Sequence, residues 1–281
     1  MKNYQDEYYE GERPLFGLTD AQISNTTFGP GESPLKEGRN LQLTGDIFKW
    51  KYPLWYCDQV EVKNTLWETM ARSGVWYTNH LKVTDSVLQA PKNFRRCQDL
   101  KLTNVTLADA EETCWDCQRV TLENVQATGD YFGMNSKQIK ANNLRVVGNY
   151  AFDGASDVEI HDSVLITKDA FWNCQNVTIS DSVINGEYLG WNTKNLTLIN
   201  CTIESDQGLC YVEKLTMRNC RLLQTTLSFE YSTEIDAEIA SEITSVKNPI
   251  SGVIKAEKIG TLIMDDTKID PSKTKIITQK D

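Results

Sequence analysis

One five-residue frame recurs along most of the chain. VEVKN at 60, LKVTD at 81, LKLTN at 100, VTLEN at 120, VEIHD at 158, VTISD at 177, LTLIN at 196 and LTMRN at 215 each place apolar residues two apart, the period of a strand with one buried face. AQISN at 21 and LQLTG at 41 begin the series, and IKANN at 139 fits it more loosely. The fifth position is Asn25, Gly45, Asn64, Asp85, Asn104, Asn124, Asn143, Asp162, Asp181, Asn200 and Asn219, a nearly even series. Only Asn, Asp and Gly occur there. These three tolerate a left-handed backbone, so the position predicts a sharp corner between strands. Asparagines at equivalent corners are placed to hydrogen-bond to one another as a ladder.

An interval of about 20 residues belongs to architectures in which one unit cannot bury its own apolar face and must stack on its neighbours. A leucine-rich repeat needs more Leu-type positions and a helical or extended return, whereas the returns here are short strand-like runs such as LWYC, VWYT and FWNC. No stretch within the coils sustains a helical period, which excludes a helical solenoid. Three strand-like pieces per coil predict an all-β, single-stranded parallel β-helix with about eleven regular coils. The organisation expected is one domain over residues 1–281: an N-terminal cap at 1–14, regular coils over 15–223, and irregular coils with a Lys-rich tail over 224–281.

The Asn/Asp corners and the repeated aromatic-x-Cys-Gln return, as in WDCQ at 115 and WNCQ at 172, resemble the single-chain right-handed parallel β-helix proteins of the pectin-lyase-like superfamily. More narrowly, the chain looks like a member of the bacterial domain-of-unknown-function 3737 family. The right-handed turn is what the resemblance implies. Function does not follow from such a fold. The compact trio of aspartates of polygalacturonase-like members, and the calcium-binding carboxylates with a basic residue of pectate lyases, have no counterpart on adjacent coils.

Equivalent positions of stacked coils form rows about 4.8 Å apart. Three residues before each strand lie Cys57, Thr78, Cys97, Cys117, Ser136, Ala155, Cys174, Thr193 and Val212. All are small and suit an inward row, so the thiols are expected to be buried and reduced. CWDC at 114 has the spacing of a redox or metal pair, but in the aligned repeat FWNC at 171 a phenylalanine replaces the first cysteine. Cys114 is therefore an apolar filler, and no metal or organic cofactor is indicated. The Asn-x-Ser/Thr matches at the corners follow from strand and corner preferences.

Two further rows face outward. The first is Trp55, Trp76, Arg95, Trp115, Met134, Asp153, Trp172, Trp191 and Cys210; the second is Tyr56, Tyr77, Arg96, Asp116, Asn135, Gly154, Asn173, Asn192 and Tyr211. Together they make a strip of aromatics interleaved with amides, carboxylates and arginines. Sugar rings stack on such flat apolar faces while their hydroxyls meet polar groups. Trp76, Trp115, Trp172, Trp191, Tyr77, Arg95, Arg96, Asn135, Asn173 and Asn192 are the candidate ligand contacts, and Asp116 and Asp153 the candidate acids for sugar chemistry. The same rows can also be structural, with the rings stacked on one another under the adjoining turn, or can form a protein interface. The two functional expectations are a carbohydrate-binding or carbohydrate-modifying protein and a non-enzymatic scaffold that binds protein, including a second copy of itself.

The formal charge of −10 disfavours nucleic acid and anionic membranes and leaves a neutral saccharide as the expected ligand. An acidic N-terminus and the lack of a long apolar run predict a cytoplasmic protein that neither crosses nor binds a membrane.

Overall fold

The computed structural model describes residues 1–279 and is an all-β parallel solenoid. Fifteen strands occupy the corner-preceding position, beginning at Lys2, Thr19, Arg39, Asp58, Asn79, Gln98, Gln118, Lys137, Ser156, Gln175, Lys194, Glu213, Thr233, Gly252 and Thr274. The count of turns is thus about fifteen rather than eleven. Four of these strands do not show in the five-residue frame. One is Lys2–Gln5, which pairs with Ala21–Ser24 although Lys2 and Tyr4 replace the usual aliphatic residues. The other three follow Asn219. There Gly252 pairs with Ile235 before it and Thr274 after it, two unequal intervals that hide the repeat. Among the described residues the only helix is a 3-10 turn at Pro271–Lys273. Lys280 and Asp281, the end of the Lys-rich tail, lie outside the described residues.

The chain divides into two compact units, Met1–Arg145 and the remainder from Val146. In the first, Leu41, Val60, Leu81, Leu100 and Val120 stand in register on successive turns. In the second, Val158, Val177, Leu196, Leu215 and Ile235 do the same. Every one is buried. Each turn adds an aromatic or aliphatic layer: Phe28, Phe48 and Trp67 stack at 5.0 and 4.5 Å in the first unit, and Phe152 and Phe171 at 5.7 Å in the second. Fully burying one such side chain contributes about 2 kcal/mol.

The corners are where the frame places them. Asn25, Asn64, Asp85, Asn104, Asn124, Asn143, Asp162, Asp181, Asn200 and Asn219 have φ between 49° and 54°, and Gly45 has φ 73°. The amide of Asn124 donates to Asn104 at 2.8 Å and that of Asn143 to Asn124 at 3.1 Å; in the second unit Asn219 donates to Asn200 at 3.0 Å.

The row of small residues points inward. Cys57, Cys97, Cys117 and Cys174 are buried, as are Cys114, Cys201, Cys210 and Cys220, and all eight are free thiols. The Sγ atoms of the row face main-chain carbonyls: Cys117 donates to Phe94 O at 2.9 Å and Cys174 to Phe152 O at 2.8 Å. Burial pushes Cys57 up to about 12 and Cys174 higher still. Thr78, Ser136 and Thr193 occupy the same row and donate to carbonyls of Leu54, Cys114 and Phe171. Seven of the nine positions in the row carry a thiol or a hydroxyl, which can fill the same donor role, while Ala155 and Val212 fill the space alone.

Candidate functional site

In the first unit the rings of Trp55 and Trp76 stack at 5.0 Å and 10°. The Arg95 guanidinium continues the column, 5.1 Å from the Trp76 centroid and 4.3 Å from that of Trp115. A guanidinium between two indoles is held by cation–π attraction on both faces. Its outer edge contacts Glu112, which Lys92 also reaches at 3.1 Å. Burial raises the Glu112 carboxyl, but the two cations outweigh it and hold the group below its ordinary range.

The indole N–H groups here are occupied. Trp55 donates to Ser73 O at 2.6 Å, Trp76 to Lys92 O at 3.0 Å and Trp115 to Tyr131 O at 2.6 Å. Each acceptor lies further along the chain, on the turn that enters the next return strand. The turn is sewn down by the ring beneath it.

The neighbouring row is left-handed throughout: Tyr56, Tyr77, Arg96, Asp116 and Asn135 have φ of 58°, 57°, 51°, 51° and 56°. Tyr56 and Tyr77 stack at 4.8 Å; Arg96 lies 5.6 Å over Tyr77 and donates to its hydroxyl at 2.9 Å. Asp116 stands 3.7 Å from Arg96 Nε. Trp76, Tyr77, Arg95, Arg96, Trp115 and Asp116 line a recess of about 250 Å³.

In the second unit the same two rows are built differently. Trp172, 36% accessible, is the most exposed of the seven tryptophans. Tyr150 lies 6.1 Å from it, and Tyr188 meets Trp191 edge-on at 5.3 Å. Tyr211 and Tyr231 extend the aromatic run at 5.0 and 5.2 Å. Among the described residues neither Trp172 nor Trp191 uses its ring N–H in a hydrogen bond within the chain. Asn192 donates to Asn173 at 2.7 Å, and Asn173 to Asp153 at 3.4 Å. Cys210 departs from the outward row: it is buried, with Sγ 2.9 Å from Gln207 O.

Asp153 and Asp116 belong to different units, and each has its own partner, Asn173 and Arg96. The acid that does accompany Asp153 is Asp169. It is 7% accessible and makes no side-chain hydrogen bond among the described residues. Burial pushes its carboxyl up, Lys168 opposes, and the charges of Glu187 and Asp153 add to the rise. Burial also raises Asp153, against the Asn173 hydrogen bond. Both carboxyls thus hold their protons more tightly than a free aspartate does. The sequence does hold a signal for Asp169: it falls one coil after Tyr150 and one coil before Tyr188, an acid in a tyrosine row.

Both histidines sit among carboxylates: His80 Nδ1 is 2.7 Å from Asp58 and His161 Nε2 is 3.0 Å from Glu159. Among the described residues no group of three or more His, Cys, Asp or Glu side chains is arranged to hold a metal ion, and no helix is long and apolar enough to cross a membrane.

A parallel β-solenoid with outward aromatic rows defines the structural class. The chain belongs to the family described as Protein of unknown function (DUF3737), which matches residues 2–277. No curated protein matches it in sequence. Among solved structures it is similar to PfbA, a surface adhesin of Streptococcus pneumoniae, at 12% identity over 78% of this chain and 72% of that one, TM-score 0.42. It is also similar to a mutant of the periplasmic alginate epimerase AlgG, at 8% identity over 98% and 74%, TM-score 0.33. A third is the A-module of the Azotobacter vinelandii mannuronan C-5 epimerase AlgE4, at 11% identity over 98% and 87%, TM-score 0.26. At these scores the likeness is one of coil architecture, and nothing about function is taken from it.

Proposed function

We propose that the protein binds a neutral saccharide on the second-unit strip, with Trp172 and Trp191 as stacking faces. The observation that carries this reading is Trp172: a large indole left open, with an unused N–H, beside amides and carboxyls that can meet hydroxyl groups. A ring with one apolar face and a free polar handle is the side chain that sugar recognition requires. The surrounding charges are Asp153, Asp169 and Glu187 against Lys168, so an uncharged sugar fits better than an acidic one. In the first unit the indoles are committed to the next turn, which favours a structural role for Trp76, Arg95 and Trp115 and leaves Tyr77, Arg96 and Asp116 as the accessible part of the recess.

The test is a glycan array probed with the parent protein beside a folded Trp172→Ala/Trp191→Ala variant and a folded Trp76→Ala/Trp115→Ala variant. Signal lost in the first variant and kept in the second supports the reading. Silence from the parent, or loss only in the second variant, overturns it.

A further inference from the structure

A serine hydrogen-bonded to a histidine lies outside the aromatic rows. Ser156–His161 and Gln175–Ser180 are neighbouring strands of the second unit, paired in parallel so that Glu159 stands beside Thr178 and His161 beside Ser180. Val158, Ile160, Val177 and Ile179 are buried in the core, so the alternation of a strand turns Glu159, His161, Thr178 and Ser180 to the outer face. There Ser180 Oγ is 2.6 Å from His161 Nδ1, and His161 Nε2 is 3.0 Å from Glu159 Oε1. The serine is 8% accessible, whereas the side chains of His161 and Glu159 are 40% and 46% accessible.

The direction of the two bonds follows from the acid. An ionised carboxylate can only accept, so Nε2 carries the hydrogen given to Glu159. In a neutral imidazole Nδ1 is then the bare nitrogen, and the Ser180 hydroxyl donates to it. A hydroxyl that donates to a basic nitrogen, itself held in one tautomer by an acid, is the arrangement that makes a nucleophile of serine. His80 in the first unit supplies the contrast. Its Nδ1 is 2.7 Å from Asp58 and its Nε2 3.5 Å from Asp99, so where His161 has a serine, His80 has a second carboxylate.

We infer that Ser180 is an activated nucleophile that takes the acyl group of a small carboxylic ester, with His161 as general base and Glu159 as the residue that positions it. Only a small acyl group fits, because so little of the serine is open. Ser180 Oγ bonds to the acyl carbon while its proton passes to His161 Nδ1; the ester C–O bond then breaks and the departing alcohol takes that proton. Water attacks the acyl-serine through the same base, which releases the carboxylic acid and restores the Ser180 hydroxyl. Thr178, two residues earlier on the same face and about 6.6 Å along the strand, offers a hydroxyl to the carbonyl oxygen as it turns negative.

The test treats the full chain with a small-alkyl fluorophosphonate, whose phosphorus bonds to Ser180 Oγ as fluoride leaves and the hydroxyl proton passes through His161 to water. Peptide mass spectrometry should then find the label on Ser180, absent from Ser180→Ala and formed about 100-fold more slowly in His161→Gln. His80→Gln should label as the parent does. Glu159→Gln should slow the labelling and Glu159→Asp restore part of the rate, every variant being checked for folding by circular dichroism. With 4-nitrophenyl acetate, the parent should release nitrophenolate faster than Ser180→Ala. No label on Ser180, labelling at the parent's rate in folded His161→Gln or Glu159→Gln, or equal nitrophenolate release by Ser180→Ala overturns the proposal. Neither reagent carries a sugar, so the result is independent of the saccharide reading.

Discussion

Trp76 and Trp172 occupy the same row of the same repeat, yet the two units use them in opposite ways. Trp76 is stacked on Trp55, faced by Arg95 and hydrogen-bonded to Lys92 O. Trp172 has one tyrosine at 6.1 Å and an indole N–H that no described residue receives. Position in a solenoid fixes the direction of a side chain but not whether the next turn closes over it. An aromatic row is evidence of a binding strip only where its polar handles are left over.

Replacing Trp76 with Ala removes a stacked ring and orphans a carbonyl, and should cost about 3–4 kcal/mol. Trp172→Ala, at a half-open site, should cost about 1 kcal/mol or less. Equal losses in urea denaturation would break the contrast. Next in size is a pH response, which the two units share in sign. In the first, Asp46 is fully buried in a row whose other members include Thr26, Thr65 and Ser86; its Oδ1 accepts the Thr26 N–H at 2.8 Å and its Oδ2 has no partner. Burial pushes Asp46 up to about 7. The unfolded carboxyl ionises first, near pH 4, so stability should fall as pH rises from there to about 7 and level off above. Asp46→Ser supplies the hydroxyl that Ser86 uses to accept the Thr65 N–H at 3.1 Å, and should flatten that slope in thermal melts. Asp169 in the second unit shifts the same way, and Asp169→Asn should remove a slope of the same sign.

Glu112→Gln should cost about 2 kcal/mol, since it strips a charge-assisted partner from Arg95 and Lys92, and the loss should shrink when Arg95 is also replaced by Met, leaving only the Lys92 contact. Smaller than the Glu112 effect is the one at a corner. Asn124→Ala should cost about 1–2 kcal/mol from its left-handed backbone and the bonds to Asn104 and Asn143, whereas Asn124→Gly should recover most of it. Hydrogen exchange at Val120 and Leu144 would report either change locally.

The regular part of the fold was legible because corner and core carry restrictive chemistry: few residues accept a left-handed backbone, and few fit the narrow inward row. The extra turns were not, because Lys2 and Tyr4 stand in core register without being aliphatic, and the intervals from Ile235 to Gly252 and from Gly252 to Thr274 are unequal. A further left-handed row was also hidden. Gln59, His80, Asp99 and Arg119 adopt φ of 55°, 50°, 56° and 56°, although Gln, His and Arg carry no composition signal for that conformation. Asp169 was missed for the same reason, since Tyr150 and Tyr188 do not mark their own left-handed turns. The strip was readable as a row, but the fate of each indole N–H depends on the height of the following turn, which spacing alone does not reveal.

The inward thiols lend the molecule a clock. Each sulfhydryl is buried beneath its own turn, so a small alkylating reagent can reach it only while that turn is open. Cysteines from Cys57 to Cys220 therefore mark time at staggered stations along the chain, and the order in which they are alkylated would record, turn by turn, where the solenoid begins to unravel.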